Sequence, residues 1–569
     1  MHRIHRRLQQ LSYDYCVWAE WLGTRCEREA RRALPQASLQ PLISIRMGVS
    51  TAQPRHLRRA VESVLAQRYP HWELCIDVAA SATPAVLAVL SRYRRRDTRV
   101  IVRHDAAEPT TLATSPVPAD ETFIVWLHPD SALARDALRH VAQAVSEHQE
   151  PQLLYGDEDS MGRFKRRVEP RHKPTWSPHL LRSCNFIGRP WFMRFDLWQR
   201  LNGPQFGCDE DLEHDLLLQA AEQVPPGGVH HIRRVLYHRR LDTQTGEADP
   251  VSNARLKEQS RRAVETHLRR CGIAATVAPI PGWAGFNRIS YAVEPKPLVS
   301  VIIPTRDKVQ LLKRCVTGLQ ERTDYPAIEL IILDNGSVEP ATQTYLSALG
   351  GRADVQVLRV DTPFNFSTLC NLGARAAHGE LFCFLNNDME ITHPEWLQEL
   401  VGLAVQPEIG AVAPLLRYSD GRIQHLGIRV DPPWPRLIGD GWREPLSRRD
   451  AVRLHAVHDV SAVNGGCLVT RRDVFAAAGG FDEALPVAYN DVDFCFAVRK
   501  AGFWVVVTPF AELNHELCAS RRDVQKSERL RDWQASIRYL QVKWPDQWGN
   551  DPFQTASDRA ETARHRSGR

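Results

Sequence analysis

The stretch Pro297-Leu-Val-Ser-Val-Ile-Ile-Pro-Thr305, followed by Ile328-Glu-Leu-Ile-Ile-Leu-Asp334-Asn-Gly-Ser337, decides how this chain folds. Each begins as a short apolar run, rich in β-branched residues, of the length of a buried strand. Strands are predicted over 298–303 and 328–333, with a helical pattern over 309–322 between them. Further β runs at 355–360, 381–385 and 409–413 alternate with helical stretches. Such alternation predicts a mostly parallel, doubly wound α/β sheet. Sheets of this kind bind ligands beyond the carboxyl ends of their strands, and the polar residues of this segment gather there.

The same grammar occurs earlier in the chain. Pro41-Leu-Ile-Ser-Ile45 echoes Pro297-Leu-Val-Ser-Val301, 256 residues before it, and Tyr69-Pro70 and Glu73-Leu74 echo Tyr325-Pro326 and Glu329-Leu330 at that spacing. Leu57-Arg-Arg-Ala-Val61 matches Leu312-Lys-Arg-Cys-Val316 with one residue of slippage. A period this long excludes a solenoid and reads as a duplicated domain, with Val293-Glu-Pro-Lys-Pro297 as the linker. The expected organisation is an N-terminal helical segment over 1–40, a first α/β domain over 41–293, a second over 294–553, and a polar tail over 554–569.

Composition narrows the classes. The chain has 569 residues, 43% hydrophobic and 25% charged, ordinary values for a folded chain with more than one core. A net charge of +6 is mild, which argues against a dedicated nucleic-acid binder. No apolar run is long enough for a membrane-spanning helix, and the start, Met1-His-Arg-Ile-His-Arg-Arg, does not read as a secretory signal. The 12 cysteines form no Cys-x-x-Cys pair and are read as buried reduced thiols, pointing to the cytoplasm. In 1–40, Leu8, Leu11, Tyr15, Trp18 and Leu22 make one helical face opposite several arginines. That face is expected to dock onto the body, with peripheral contact at an anionic membrane surface as the alternative.

Four polar groups at strand and helix ends carry chemistry in the second copy. Asp334 can accept an imide N–H, or close an Asx-type turn. Asn386-Asn387-Asp388 ends a strand where a carboxylate can ligate Mg²⁺ or Mn²⁺. In Asn490-Asp491-Val-Asp493, Asn490 and Asp493 have the spacing of helix-capping residues, which leaves Asp491 to face the cleft as a general base. His515 follows a β run at 503–507. The irregular stretch from Asp431 to Trp442, with its prolines, glycines and two tryptophans, is expected to form a loop over the acceptor side.

Taken in order, Val299-Ser-Val-Ile-Ile-Pro-Thr305, Asp334-Asn-Gly-Ser337, Asn386-Asn-Asp388, Gly465-Gly-Cys-Leu468, Gly479-Gly-Phe-Asp-Glu483, Asn490-Asp-Val-Asp-Phe494 and His515 resemble the family 2 glycosyltransferases of GT-A fold. The resemblance covers about residues 41–553 and is strongest to bacterial tandem-domain members of rhamnosyltransferase or O-antigen biosynthesis type. It implies two Rossmann-like nucleotide-diphospho-sugar transferase domains. It also implies inverting transfer, dependent on Mg²⁺ or Mn²⁺, from a UDP- or dTDP-sugar, dTDP-rhamnose among them, to a lipid-linked or oligosaccharide acceptor. Asp334, Pro304 and Thr305 would hold the base. Asp388 and His515 would hold the cation with Asn387 adjacent, Asp491 would be the base catalyst, and Arg521 would cover the diphosphate. Because Asn386 and Asn387 are neutral, cation binding is expected to be weak until the donor diphosphate is present.

The first copy has lost part of this set. Val78 stands where the second has Asp334, and Gly48 where it has Pro304. The segment 366–380 has no good counterpart. Asp130, Glu213 and His238 fall opposite Asp388, Asp491 and His515, a residual site in a domain expected to be silent. A bifunctional enzyme and a non-catalytic saccharide-binding scaffold are the alternatives.

Overall fold

The computed structural model describes residues 39–50, 52–104, 118–162, 167–203, 210–240, 250–444, 446, 451–516 and 526–553. The helix expected before residue 39, the tail after 553, and Arg521 lie outside them. The chain forms two compact units. One holds the residues up to Trp176 together with Asn185–His267, the other Ser177–Cys184 and Leu268–Gln554. This divides the chain upstream of residue 293. The hairpin of Ala275–Pro279 and Asn287–Tyr291 belongs to the second unit, where Arg288 reaches Glu399 at 3.2 Å.

The first unit is built on β1 (Leu42–Val49), β2 (Trp72–Val78), β3 (Val100–His104), β4 (Thr122–Trp126), β5 (Ala132–Leu133), β6 (Leu153–Met161), β7 (Trp191–Arg194) and β8 (Val229–Arg240). These lie in the order β3-β2-β1-β4-β7-β6-β8-β5. Helices α1 (Pro54–Leu65) and α2 (Glu210–Gln223) connect strands within it.

The second unit repeats the pattern with β9 (Val299–Thr305), β10 (Ile328–Asp334), β11 (Val355–Arg359), β12 (Leu381–Leu385), β13 (Met389–Ile391), β14 (Ile409–Arg417), β15 (Cys467–Arg471) and β16 (Trp504–His515). Its order, β11-β10-β9-β12-β15-β14-β16-β13, is the first unit's order strand for strand. The expected parallel sheet is its first half: β9 pairs parallel with both β10 and β12, while β15 runs antiparallel to β12. The helices that matter below are α3 (Val309–Glu321), α4 (Phe366–Ala376), α5 (Asn490–Lys500) and α6 (Lys526–Lys543).

The repeat is visible atom by atom. Tyr69 donates its hydroxyl to the Pro41 carbonyl at 2.6 Å, and Tyr325 to that of Pro297 at 2.8 Å. Ser44 donates to Glu73 at 2.7 Å, and Ser300 to Glu329 at 2.5 Å. Register agrees too, with Val49 opposite Val78 and Thr305 opposite Asp334. Every residue of β9 is buried, as expected of a strand covered on both faces.

Two expectations change. The strand expected at 503–507 continues to His515 because irregularities in its pairing with β14 let it bend and go on. The stretch beginning at Asp431 is partly regular: Ile428–Asp431 and Trp434–Leu437 pair as a ribbon with Pro432-Pro433 at its turn. Trp434 is exposed, whereas Trp442 packs on the core. All eight cysteines among the described residues are free, and seven are buried. No helix among the described residues is long and apolar enough to cross a membrane.

Candidate active site

The carboxyl ends of β9, β10 and β12 bring Thr305, Asp334 and Asn387 to one edge of the sheet. Asp334 is buried. Its Oδ1 accepts the Ser337 N–H at 2.9 Å, so the turn does form, and its Oδ2 lies 3.2 Å from Arg359 Nη1. Arg359 stands opposite Asp334 on β11 and is half exposed, reaching on to Asp361. Asn387 spends its amide nitrogen on Thr305 Oγ1 at 2.9 Å, which leaves its amide oxygen as the remaining polar atom of that side chain. Pro304 lies within β9 opposite Leu333.

Asp388 and His515 meet where β13 begins and β16 ends, with Met389 opposite His515. His515 Nε2 lies 3.2 Å from Asp388 Oδ1. The other ring nitrogen, Nδ1, faces Gln424 Oε1 at 2.7 Å. An amide oxygen only accepts, so Nδ1 carries a ring proton and Nε2 is the nitrogen that can ligate a cation. Beside it lies a buried carboxylate oxygen that makes no hydrogen bond. Cis ligands of an octahedral Mg²⁺ lie about 3 Å apart at metal–donor distances of about 2.1 Å, so this donor pair fits a divalent cation.

A short backbone bridge joins this pair to Asp491. Asn386 N–H donates to the Gly466 carbonyl at 2.9 Å, and Gly465 N–H donates to Asp491 Oδ2 at 2.9 Å. A Cβ on Gly466 would lie 2.5 Å from Met389 Cε and 3.5 Å from His515 Cε1, so the bridge passes close beside β13 and His515. Asp491 Oδ1 accepts its neighbour Val492 N–H at 2.9 Å. Tyr489, at φ 62°, is the residue that starts α5, and its hydroxyl is pushed up to about 12 by burial and by the Asp491 charge.

The capping expectation for Asp493 is corrected. Asp493 is buried under α6, where Trp544 Nε1 donates to it at 2.7 Å and Lys543 Nζ at 2.9 Å. Asn490 bonds instead to the Leu485 carbonyl, at 3.4 Å. Phe494 anchors the helix in an aromatic cluster with Phe481 and Phe475, at centroid distances of 5.0 and 5.5 Å. The Gly479-Gly480-Phe481-Asp482-Glu483 run works alongside: Gly479 ends its helix at φ 83°, and Glu483 accepts from Asn371 and Thr368 of α4.

Residues 300–476 match the model of glycosyl transferase family 2. The family likeness is therefore that of this segment, which lies wholly within the second unit. It is 35% identical over 521 residues to the uncharacterized protein y4gI of Sinorhizobium fredii, covering 90% of this chain and 57% of that one. To the O-antigen biosynthesis protein RfbC of Myxococcus xanthus it is 32% identical over 525 residues, covering 90% of this chain and 40% of that protein. The chain thus spans about half the length of these two curated relatives. An N-acetylglucosaminyl-diphospho-decaprenol L-rhamnosyltransferase of Mycobacterium tuberculosis is 28% identical over 234 residues, 37% of this chain and 74% of that one.

The residual positions of the first unit are each claimed by a different partner. Glu213 is buried and accepts Arg189 Nε at 2.6 Å and Trp191 Nε1 at 3.3 Å. His238 Nδ1 lies 2.6 Å from Asp159, which also binds Arg167. Asp130 pairs with His128.

Sequence reasoning passed over several residues. Arg359 and Gln424 gain their roles only from positions distant in the chain. A signal did exist for Asp157-Glu158-Asp159: three consecutive acids after an apolar run. Irregular pairing of β6 buries all three, with Asp157 held by His172 and His231, and Glu158 by Arg171.

Proposed function

We propose that the second unit transfers a sugar from a UDP- or dTDP-linked donor to a saccharide acceptor, with inversion, in surface polysaccharide synthesis. One observation carries the reading: the Asp388 oxygen without a hydrogen bond beside His515 Nε2, joined through Gly466 and Gly465 to the Asp491 carboxylate. The tandem GT-A organisation, with 41–293 as the degenerate domain and 294–553 as the active one, belongs to the same reading. It is supported by the matching strand order and by Val78 at the Asp334 position.

Asp388 and His515 would hold Mg²⁺ or Mn²⁺, assisted by the Asn387 amide oxygen. That cation would neutralise charge on the departing nucleoside diphosphate. Asp334 would accept the imide N–H of the base through Oδ2 once Arg359, half exposed, turns toward the phosphates. Asp491 would take the proton of the acceptor hydroxyl as its oxygen attacks the anomeric carbon in line, and the bond to the diphosphate breaks on the opposite face. Gly465 N–H fixes the carboxylate without neutralising it. A lipid-linked or oligosaccharide acceptor suits this chemistry, and Arg521 is proposed as a diphosphate contact.

The first unit is proposed to be silent, because the group at the base position, Glu213, is sealed by Arg189. The test is nucleoside diphosphate release from UDP-, dTDP- and GDP-sugars with Mn²⁺ or Mg²⁺, comparing wild type with Asp491→Asn. Metal-dependent turnover of one donor, lost in the variant, supports the reading. Turnover that survives the substitution sinks it and directs attention to Glu213.

A further inference from the structure

The helix α6 carries an apolar stripe that ends in an anomaly. Trp533, Ile537, Leu540 and Trp544 are spaced to share one face, and that face packs downward: Leu540 is 0% exposed and Trp544 8%. Trp533 lies on the same face two turns before Leu540, yet it is 49% exposed. Its indole therefore offers a ring face to solvent although it stands on the packed side of the helix.

The exposed indole stands against the residue that starts the Asp491 helix. Trp533 and Tyr489 have ring centroids 6.4 Å apart at an interplanar angle of 41°, and Tyr489 is two residues from Asp491. The arrangement is braced. Tyr539 of α6 donates to Asp482 at 2.7 Å, Lys543 pairs with Asp482 and Asp493, and Trp544 donates to Asp493. Asp493 belongs to the first turn of α5, as Asp491 does, so the indole is tied to the helix that carries the carboxylate.

We propose that Trp533, with Tyr489 at its edge, is the platform on which the terminal pyranose ring of the acceptor saccharide stacks while its hydroxyl faces Asp491. This rests on the transfer reading above. A pyranose has an apolar C–H face and a polar rim. An exposed indole beside a carboxylate meets both, whereas a nucleotide base is already provided for at Asp334 on the end of β10. Trp533 is therefore a specificity-determining residue for the acceptor and takes no part in holding the donor.

The experiment uses the full chain with Trp533→Ala, Trp533→Phe and Asp491→Asn. Saturation-transfer NMR is run with methyl glycosides of rhamnose, glucose, galactose and N-acetylglucosamine. At least one glycoside is expected to receive saturation on its C–H face from wild type, Trp533→Phe and Asp491→Asn, and to lose it with Trp533→Ala. Calorimetric binding of UDP or dTDP with Mn²⁺ is expected to stay unchanged in Trp533→Ala. In transfer assays with an extended acceptor, KM for the acceptor rises about tenfold in Trp533→Ala and kcat holds. Undiminished saturation in Trp533→Ala overturns the proposal, as does the absence of glycoside binding by wild type. A tenfold loss of nucleotide affinity in Trp533→Ala also overturns it, because the indole then serves the donor. Failure of wild type to release nucleoside diphosphate from any donor breaks the transfer reading alone, and Trp533-dependent glycoside binding would then stand as a saccharide site.

Discussion

Replacing Asp388 by Asn is expected to change stability in opposite directions with and without the cation. In the wild type, without a cation, a buried carboxylate oxygen that makes no hydrogen bond lies 3.2 Å from His515 Nε2. Asn places an amide N–H there, which can donate to Nε2 and removes the unpaired charge. A gained hydrogen bond and a relieved unsatisfied acceptor together amount to about 1–2 kcal/mol. For a unit of this size that raises the thermal midpoint by about 3–6 °C. With Mn²⁺ and UDP the order reverses. A ligand at about 100 times its Kd stabilises the wild type by about 2.7 kcal/mol, and the variant gains none of it. The assay is scanning fluorimetry at pH 8, first in chelator and then with Mn²⁺ plus UDP. A variant less stable than wild type in chelator refutes the reasoning, because the carboxylate would then be satisfied within the fold. So does a variant that keeps the Mn²⁺-dependent shift.

Three further outcomes are expected. Asp491→Asn retains the Gly465 contact through its amide oxygen, so donor binding by calorimetry should hold while turnover falls about 10²–10⁴-fold; equal loss of both would make Asp491 a donor residue. Glu213→Gln leaves the buried Arg189 without its countercharge and should cost about 3 kcal/mol in urea unfolding, with the product linkage seen by NMR unchanged; a new linkage would make the first unit a transferase. His425 is fully buried, accepts the Asn464 N–H, and is held by burial at about 3, against 6.5 for an ordinary histidine. The unfolded chain therefore takes up a proton below pH 6.5 that the folded chain refuses. The stability this gives is complete above that pH and falls by about 2 kcal/mol on reaching pH 5, a slope that urea titrations should find missing in His425→Leu.

Much of the sheet was legible because its signal is local. The runs at 328–333 and 381–385 became β10 and β12 almost to the residue, since a strand covered on both faces is apolar along most of its length. The repeat was equally legible, because Tyr69 and Tyr325 each tie a strand start to a residue within their own copy. What failed depended on distant partners. Asn490 and Asp493 had the spacing of a cap, but Trp544 and Lys543, about 50 residues further along, claim Asp493 for the core. Gln424 lies far upstream of His515 in the chain, and nothing local to either residue shows that it fixes the ring proton. The prolines before 297 look like a linker, but the hairpin that precedes them is bound to Glu399 of the second unit.

The loss of function proposed for the first unit runs deeper than one missing carboxylate. Strand register places Asp77 at the position of Leu333 and Arg46 at that of Ile302. Gly373 of α4 packs directly on Ile302 and Leu333, where a Cβ would come within 2.4 and 3.0 Å of their side chains. The first unit therefore carries charge on the face that the second unit presents to α4. Asp77 pairs there with Arg103 at 2.8 Å, in the register by which Asp334 pairs with Arg359, but one residue earlier on the strand. Adjacent strand residues point to opposite faces, so the acid and its arginine have moved together to the other side of the sheet. No single substitution reverses that. Val78→Asp would restore a carboxylate at the strand end without an arginine opposite, because His104 stands there, and would leave Asp77 and Arg46 facing the side where a donor-side helix would need apolar contact. The first unit shares the second's strand order but carries charge on the opposite face of its strands, which is how a matching sheet order goes with the silent site proposed for it.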